Sequence, residues 1–340
     1  MGLARRQLGT HGPEITVVGF GAWAAGGDGW AYGWGPQDDP TSVAAIQHAV
    51  ELGVNWIDTA AMYGLGHSEE VVGRALRTIP AGERPLVFTK GGVVFDPSRP
   101  YDVPVRTLQP ASIRREVEDS LRRLGVEQID LYQSHWPDET GTPVEDSWAE
   151  LARLVDEGKI GFAGVCNFSV ELLERCEPIH HVASLQPRFS MIQRGSGGDV
   201  IPWAGTHGTG VIAYGTMQHG ILTDTFTAEQ SASFAADDWR RKNDQFKEPS
   251  LSRNLTLRDT LRVIAQRNRT TVAAVAVAWT LAWPGVTGAI VGARGPNQVD
   301  GWIGAGTFGL RDEDMDAIAA AIADLGVGSG PLRPGSAITG

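Results

Sequence analysis

Short apolar runs alternate with stretches of helical spacing along most of this chain. The apolar runs are Val17–Gly21, Val54–Ile57, Leu86–Thr89, Ile129–Tyr132, Ile160–Val165, Val182–Leu185, Gly210–Ala213 and Gly288–Val291. Each is short and bounded by glycine or polar turns, as expected of strands buried on both faces of a parallel sheet. Between them lie helical segments. Thr41–Leu52 repeats Val43, Ile46 and Val50 at the steps of one helix face, and Gly53 stops it. Glu69–Leu76, Ala111–Leu124, Val144–Glu157, Val170–Cys176 and Asp199–His207 follow the same logic, with Gly125 and Gly158 as further stops. Leu257–Arg267, Val272–Trp283, Asn297–Gly304 and Asp312–Leu325 complete the helices. Ahead of all this, Gln7–Gly9 and Glu14–Thr16 flank His11-Gly12-Pro13 and read as a short hairpin.

Eight strand–helix units point to a single closed (β/α)8 barrel of class α/β spanning 1–340, with 1–16 as a hairpin cap. A doubly wound open sheet is the alternative, and it requires a glycine-rich phosphate loop after the first strand. That strand leads into Gly19-Phe-Gly21-Ala-Trp-Ala-Ala-Gly26, which lacks the required spacing and is followed by a Trp- and Gly-rich loop instead of a helix. Two long loops, 24–40 and 223–254, are expected to be functional, since structureless loops of that length are uncommon in compact domains. The tail 326–340 is expected to be mobile or to fold over the barrel mouth.

The chain has 340 residues, 42% of them apolar, which suffices for a substantial core. Net charge is −11, and no long basic stripe is present, so neither nucleic acid nor an anionic membrane surface is an expected partner. No apolar signal core follows Met1, and the longest apolar stretch, Val272–Trp283, is too short to span a bilayer. Two cysteines, Cys166 and Cys176, make no disulfide framework and are read as reduced thiols of a cytoplasmic protein.

In a barrel, chemistry sits where strands end and loops begin. The second strand ends in Asp58-Thr-Ala-Ala-Met-Tyr63, the third in Thr89-Lys90-Gly91-Gly92 and the fourth in Gln133-Ser134-His135-Trp136. Taken one at a time these residues have bland explanations: a cap, a half-buried phenol, a solvated amine, a packing imidazole. Four such coincidences on one rim are a poorer explanation than a site. An acid, a phenol, an amine and an imidazole together suit proton transfer to a carbonyl oxygen that gains negative charge. A neighbouring ammonium lowers a phenol's pKa, so Lys90 is expected to make Tyr63 more acidic, with Asp58 holding Lys90 and His135 orienting the oxygen.

The stretch Gly53-Val-Asn-Trp-Ile-Asp58-Thr-Ala-Ala-Met-Tyr63-Gly64-Leu-Gly66-His-Ser68-Glu69 is similar to the signature of the aldo-keto reductases. Phe88-Thr89-Lys90-Gly91-Gly92 and Leu131-Tyr-Gln-Ser-His135 resemble the next two blocks of that family, in order, and the likeness runs from the hairpin to about Gly304. It implies a catalytic tetrad of Asp58, Tyr63, Lys90 and His135, and NADP(H) as cofactor for the reduction of a small aldehyde or ketone, with sugars and secondary metabolites among the candidate substrates. Ala22, Trp23 and Asp58 fall at cofactor-contact positions of the family. So do Cys166, where the family commonly has serine, and Asn167 and Gln186, which face the carboxamide. After strand seven, Tyr214 fits the residue that stacks on the nicotinamide, and Gly215, Thr216, Met217, Gly220 and Leu222 fall in the pyrophosphate stretch. After strand eight, Gly292, Arg294 and Gln298 match the adenosine end. Arg294 suits a 2′-phosphate, with a solvated loop arginine as its plain alternative. Gly301-Trp302 replaces the family's common Glu-Asn pair, and adenine stacking on Trp302 is a candidate. Trp23, Trp30, Tyr63, His135 and Trp136 are expected around the substrate, with Trp34 a further candidate and core packing an equal reading of any single tryptophan. Some relatives are cofactor-bound regulatory subunits, so an NADP(H)-bound sensor with slow turnover stays open. A lyase or isomerase would need a metal site or an imine-forming lysine.

Overall fold

The structure is a computed structural model that describes residues 2–235 and 238–333. Strand β1 (Arg5–Gln7) pairs antiparallel with β2 (Glu14–Thr16) as the expected hairpin. Then come β3 (Val18–Gly21), α1 (Asp39–Glu51), β4 (Trp56–Asp58), α2 (His67–Thr78) and β5 (Leu86–Gly91). A small antiparallel pair, β6 (Val93–Val94) and β7 (Val105–Arg106), decorates the loop after β5. The chain continues with α3 (Pro110–Leu124), β8 (Ile129–Ser134), α4 (Val144–Asp156), β9 (Ile160–Cys166), α5 (Val170–Cys176), β10 (Ser184–Gln186), α6 (Val200–His207) and β11 (Gly210–Ala213). It ends with α7 (Ala228–Ala232), α8 (Ser250–Arg267), α9 (Val272–Leu281), β12 (Val286–Gly292), α10 (Pro296–Ile303) and α11 (Asp312–Leu325). Strands β3, β4, β5, β8, β9, β10, β11 and β12 close into a parallel barrel, with β12 against β3. The expected (β/α)8 architecture and its hairpin are therefore present.

Three local expectations change. Strand β4 begins at Trp56 because the Val54 N–H is spent closing α1 onto the Ala49 carbonyl, 3.0 Å away. The polar segment 223–254 carries helix α7, held by a Thr227–Gln230 capping box. Helix α8 starts at Ser250, ahead of Leu257, where Leu251 and Asn254 already face inward. The described part of the tail lies along the loop after β10: Ser329 bridges Gln193, and buried Arg194 donates to the Pro331 carbonyl at 2.9 Å. Residues 334–340 lie outside the described residues. Among the described residues no helix is long and apolar enough to cross a membrane.

Side chains alternate across a strand, so positions two apart share the barrel's interior. The lower interior is apolar: Trp56, Phe88, Leu131, Ile212 and Ile290 pack with Leu8 and Ile15 of the hairpin. The hairpin thus plugs the bottom, and the Trp56 indole donates to the Thr16 carbonyl at 2.8 Å. One step of two further up, the same strands present Asp58, Lys90, Gln133 and Tyr214. The large indole fits only because Gly19 of β3 has no side chain: a Cβ there would lie 2.1 Å from Cε2 of Trp56. Gly19→Ala is expected to destabilise the protein by about 1–3 kcal/mol through overpacking. The urea midpoint should fall with an unchanged m-value; an unmoved midpoint would show that the indole shifts freely.

Candidate active site

Three strand ends and one tight turn build the centre. Lys90, fully buried, donates to Oδ1 of Asp58 at 2.5 Å and to the Thr59 carbonyl at 2.7 Å. The other carboxylate oxygen of Asp58 accepts from Gln186 at 3.0 Å. Gln186 also donates to Gln133 Oε1 at 3.2 Å, and the Cys166 thiol points at that same oxygen at 3.7 Å. Asp58, Lys90, Gln133, Cys166 and Gln186, one from each of five successive barrel strands, thus make a continuous polar layer above the apolar floor.

Tyr63 reaches this layer from the turn after β4. Its ring centroid lies 5.2 Å from Lys90 Nζ and 5.7 Å from the His135 ring, edge to face. The turn depends on Gly64, whose φ is +60° and whose Cβ would meet the Gly26 carbonyl oxygen at 2.2 Å. That approach seats the loop after β3 on the Tyr63 turn, and Trp23 stacks on the Tyr63 ring at 5.8 Å and 17°. His135 is fixed by its own N–H to the Gly91 carbonyl and by Asn167, which donates to the His135 carbonyl at 3.1 Å. The Tyr214 hydroxyl donates to Asn167 at 2.9 Å.

Burial dominates the electrostatics. It pushes Tyr63 above the ordinary phenol range, and the nearby Lys90 charge pulls the other way without prevailing. The sequence-based expectation of a net lowering is therefore corrected: Lys90 acts with the expected sign, but desolvation outweighs it in the protein alone. Burial also works against the charge on Lys90, yet Asp58, then Tyr63 and Cys166, hold it above an ordinary lysine. Asp58 is raised by burial, with Lys90, Gln186 and Gln133 opposing. Burial, then Lys90 and Arg106, drives His135 far below its usual value, so its imidazole is neutral.

The residues expected around the cofactor fall on one side of the centre. Asn167, Gln186 and Tyr214 border the polar layer. Backbone from Gly215 to Gly220 forms a tight turn with φ positive at Gly215, Gln218, His219 and Gly220, a concavity of the kind that receives anions. Thr216 is buried, and its hydroxyl has no protein partner. Met217 is half-buried against the core, whereas Leu222 is fully buried with its N–H spent on the Met217 carbonyl. Ala22 is buried, and its N–H donates to the Asp58 carbonyl at 2.8 Å. Gly292 ends β12, and Gln298 in α10 accepts from the Arg294 N–H at 2.8 Å. Arg294 docks on the first long loop, donating to Gln37 at 2.8 Å and to the Pro36 carbonyl. Trp302 does not reach this surface: at 1% exposure it packs in the core, which removes it as an adenine platform. The remaining donors, concavity and guanidinium suit a nicotinamide dinucleotide.

Across Tyr63 lies the other wall. Trp30, Phe95 and Val93 are buried there with half-buried Tyr32, Met62 and Trp136, and Arg106 covers the Trp136 ring at 4.2 Å. Trp34 lies away from that wall, edge to face with Trp23 at 5.3 Å. The sequence reading missed Gln133, which sits two residues before His135 and so on the same inner face. It also missed the partners brought in by the second long loop: Trp239 stacks on Trp23 at 5.3 Å, and Arg240 sits over Trp34 at 4.8 Å.

The profile of the Aldo/keto reductase family matches residues 17–323. The chain is 33% identical to aldo-keto reductase YhdN of Bacillus subtilis (strain 168) over 308 residues, 90% of each protein. It is 30% identical to the NADH-specific methylglyoxal reductase of Escherichia coli (strain K12), over 90% of this chain and 94% of that one. Among solved structures it is similar to the glycerol dehydrogenase AKR11B4 from Gluconobacter oxydans, with TM-score 0.85 and 37% identity, over 96% of this chain and 97% of that one.

The Asp58–Lys90 pair yields a stability test, because breaking a buried pair strands one charge. Lys90→Met is expected to cost about 3–5 kcal/mol in thermal unfolding, and Asp58→Asn with Lys90→Met should recover most of that loss. A double variant no more stable than the single would show that the stranded carboxylate is not the cause.

Proposed function

The chain belongs to the aldo/keto reductase family, oxidoreductases of carbonyl compounds that bind a nicotinamide cofactor, and we propose that it reduces aldehydes or ketones with NADPH, with Tyr63 as the acid. The supporting observation is the meeting of Asp58, Lys90, Tyr63 and His135 in one water-poor layer at the mouth of the barrel. When bound, the reduced dinucleotide supplies a hydride to the carbonyl carbon. The remaining work falls to side chains.

Tyr63 holds its proton through neutral pH because burial disfavours the phenolate. It gives that proton to the carbonyl oxygen only as negative charge develops there, and Lys90 then offsets the charge left on the phenolate. Asp58 fixes Lys90 and keeps it protonated. Neutral His135 offers one N–H to the same oxygen, which aims the carbonyl without placing a second cation beside Lys90. Trp30 and Trp136 screen the centre from water. Together with Trp23 they favour a carbonyl compound with an apolar or sugar-like face.

Arg294 carries the choice of NADPH over NADH. A guanidinium suits a 2′-phosphate; burial, and then nearby Arg240, depresses Arg294, with Asp238, the ion-pair partner of Arg240, opposing. One relative is described as NADH-specific, so the preference rests on this chain's own residues. Two buried free thiols, Cys166 and Cys176, suit a reducing compartment, the cytoplasm.

Tyr63→Phe is expected to lower carbonyl reduction about 100- to 10,000-fold while dinucleotide binding, followed by fluorescence titration, stays near normal. Activity that survives the change would assign the acid elsewhere. Arg294→Ala should weaken NADPH about tenfold and NADH far less; equal weakening of the two would remove the 2′-phosphate role.

A further inference from the structure

The imidazole of His135 has no anchor at Nδ1, which is shielded and, among the described residues, without a partner. Its aim therefore depends on its backbone. Asn167 holds the His135 carbonyl, and the Gly91 carbonyl accepts from the His135 N–H at 2.9 Å. The Gly91 carbonyl and the Gly92 N–H belong to one planar peptide unit and point in opposite directions. That N–H donates at 2.8 Å to Oε2 of Glu116, which comes in from α3, outside the barrel. The other carboxylate oxygen accepts from the Ser112 hydroxyl at 3.0 Å. Glu116 is only 9% exposed and lies on the face of α3 that also buries Ile113, Val117 and Ser120. An apolar side chain would fill that position at less cost than a carboxylate, unless the carboxylate is needed for its hydrogen bonds. Gly91 leaves the approach open: a Cβ there would stand 2.9 Å from Oε2 of Glu116 and would collide with the Tyr132 hydroxyl. Burial pushes Glu116 above an ordinary glutamate, while the Gly92 N–H, Ser112, Arg115 and Arg123 pull it back.

We infer that Glu116 is a positioning residue for His135, acting through the peptide unit between Gly91 and Gly92. This rests on the reading above that His135 aims the carbonyl oxygen. A hydrogen bond to a carboxylate is shorter and stronger than one to a neutral acceptor. Drawing on the Gly92 N–H polarises the unit, so its carbonyl becomes a better acceptor for His135, since linked hydrogen bonds strengthen one another. The same bond fixes the rotation of the unit, which follows directly on Lys90. The next unit is held as well: Gly92 has φ +86°, and its carbonyl accepts from the Thr107 N–H at 3.1 Å. Asp58 thus steadies Lys90 from inside the barrel, and Glu116 steadies the adjoining peptide from outside.

The test pairs kinetics with amide proton spectra of the full chain. In the NADPH-dependent reduction of 4-nitrobenzaldehyde, Glu116→Leu is expected to lower kcat about tenfold or more, with NADPH affinity within about twofold. Glu116→Gln, which keeps an acceptor oxygen without the charge, should fall between. In a His135→Asn background Glu116→Leu should cost less than about twofold, because a residue that acts through His135 then has little left to act on. The same loss in both backgrounds would overturn the inference, as would an unchanged kcat in Glu116→Leu. If Glu116→Leu does not fold, Glu116→Gln decides: the Gly92 and His135 amide proton resonances should both move upfield, the mark of two weakened bonds, and an unmoved His135 resonance would overturn the inference. The spectra need no turnover. A chain that reduced no carbonyl compound yet showed both shifts would sink the functional reading and leave the link from Glu116 to His135 standing.

Discussion

A lysine and an aspartate share the inside of the barrel, and the rest of the site is arranged around keeping them there. Lys90 has no exposure at all, so its charge survives only through Asp58 and the Thr59 carbonyl. Asp58 in turn needs both oxygens occupied, and Gln186 takes the second. The pair sits where the interior changes from apolar to polar, one strand repeat above Trp56 and Phe88. That boundary follows from the period of two along each strand, which lets one segment supply a floor residue and a site residue in succession.

Most of the framework was legible in the sequence because buried parallel strands leave a plain trace: brief apolar runs between polar punctuation. Asp58, Tyr63, Lys90 and His135 could be placed together because each closes a strand or the turn just beyond it. What stayed hidden depends on contacts between distant segments. Nothing local to Trp239 or Arg240 announces that they dock on Trp23 and Trp34, some 200 residues earlier. Trp302 looked available because exposure cannot be read from its neighbours, and it is a core residue. The direction of the Tyr63 shift was misjudged for a related reason: the sequence shows which charge stands near a phenol but not how much water has been removed from it. Gln133 did carry a signal, since it lies two residues from the inward-facing His135.

Aromatic side chains divide the mouth of the barrel into two compartments. Tyr63 and Trp23, stacked on each other, form the partition. On one side Trp30, Phe95 and Trp136 make an apolar wall with few polar atoms. On the other, His219 packs against Trp23, Trp34 and Trp239, and the indole nitrogens of Trp34 and Trp239 have no protein partner. The two compartments therefore differ in what they solvate. Trp23 belongs to both, packing on the Trp30 side and against Trp34, His219 and Trp239.

The hairpin at the opposite end has an effect on traffic. Leu8 and Ile15 fill the base of the barrel, and Arg6 ties the hairpin to the carbonyls of Leu281 and Val286. The vessel is therefore blind at one end. Whatever reaches the polar layer has to come and go by the other end, past the same ring of aromatic side chains.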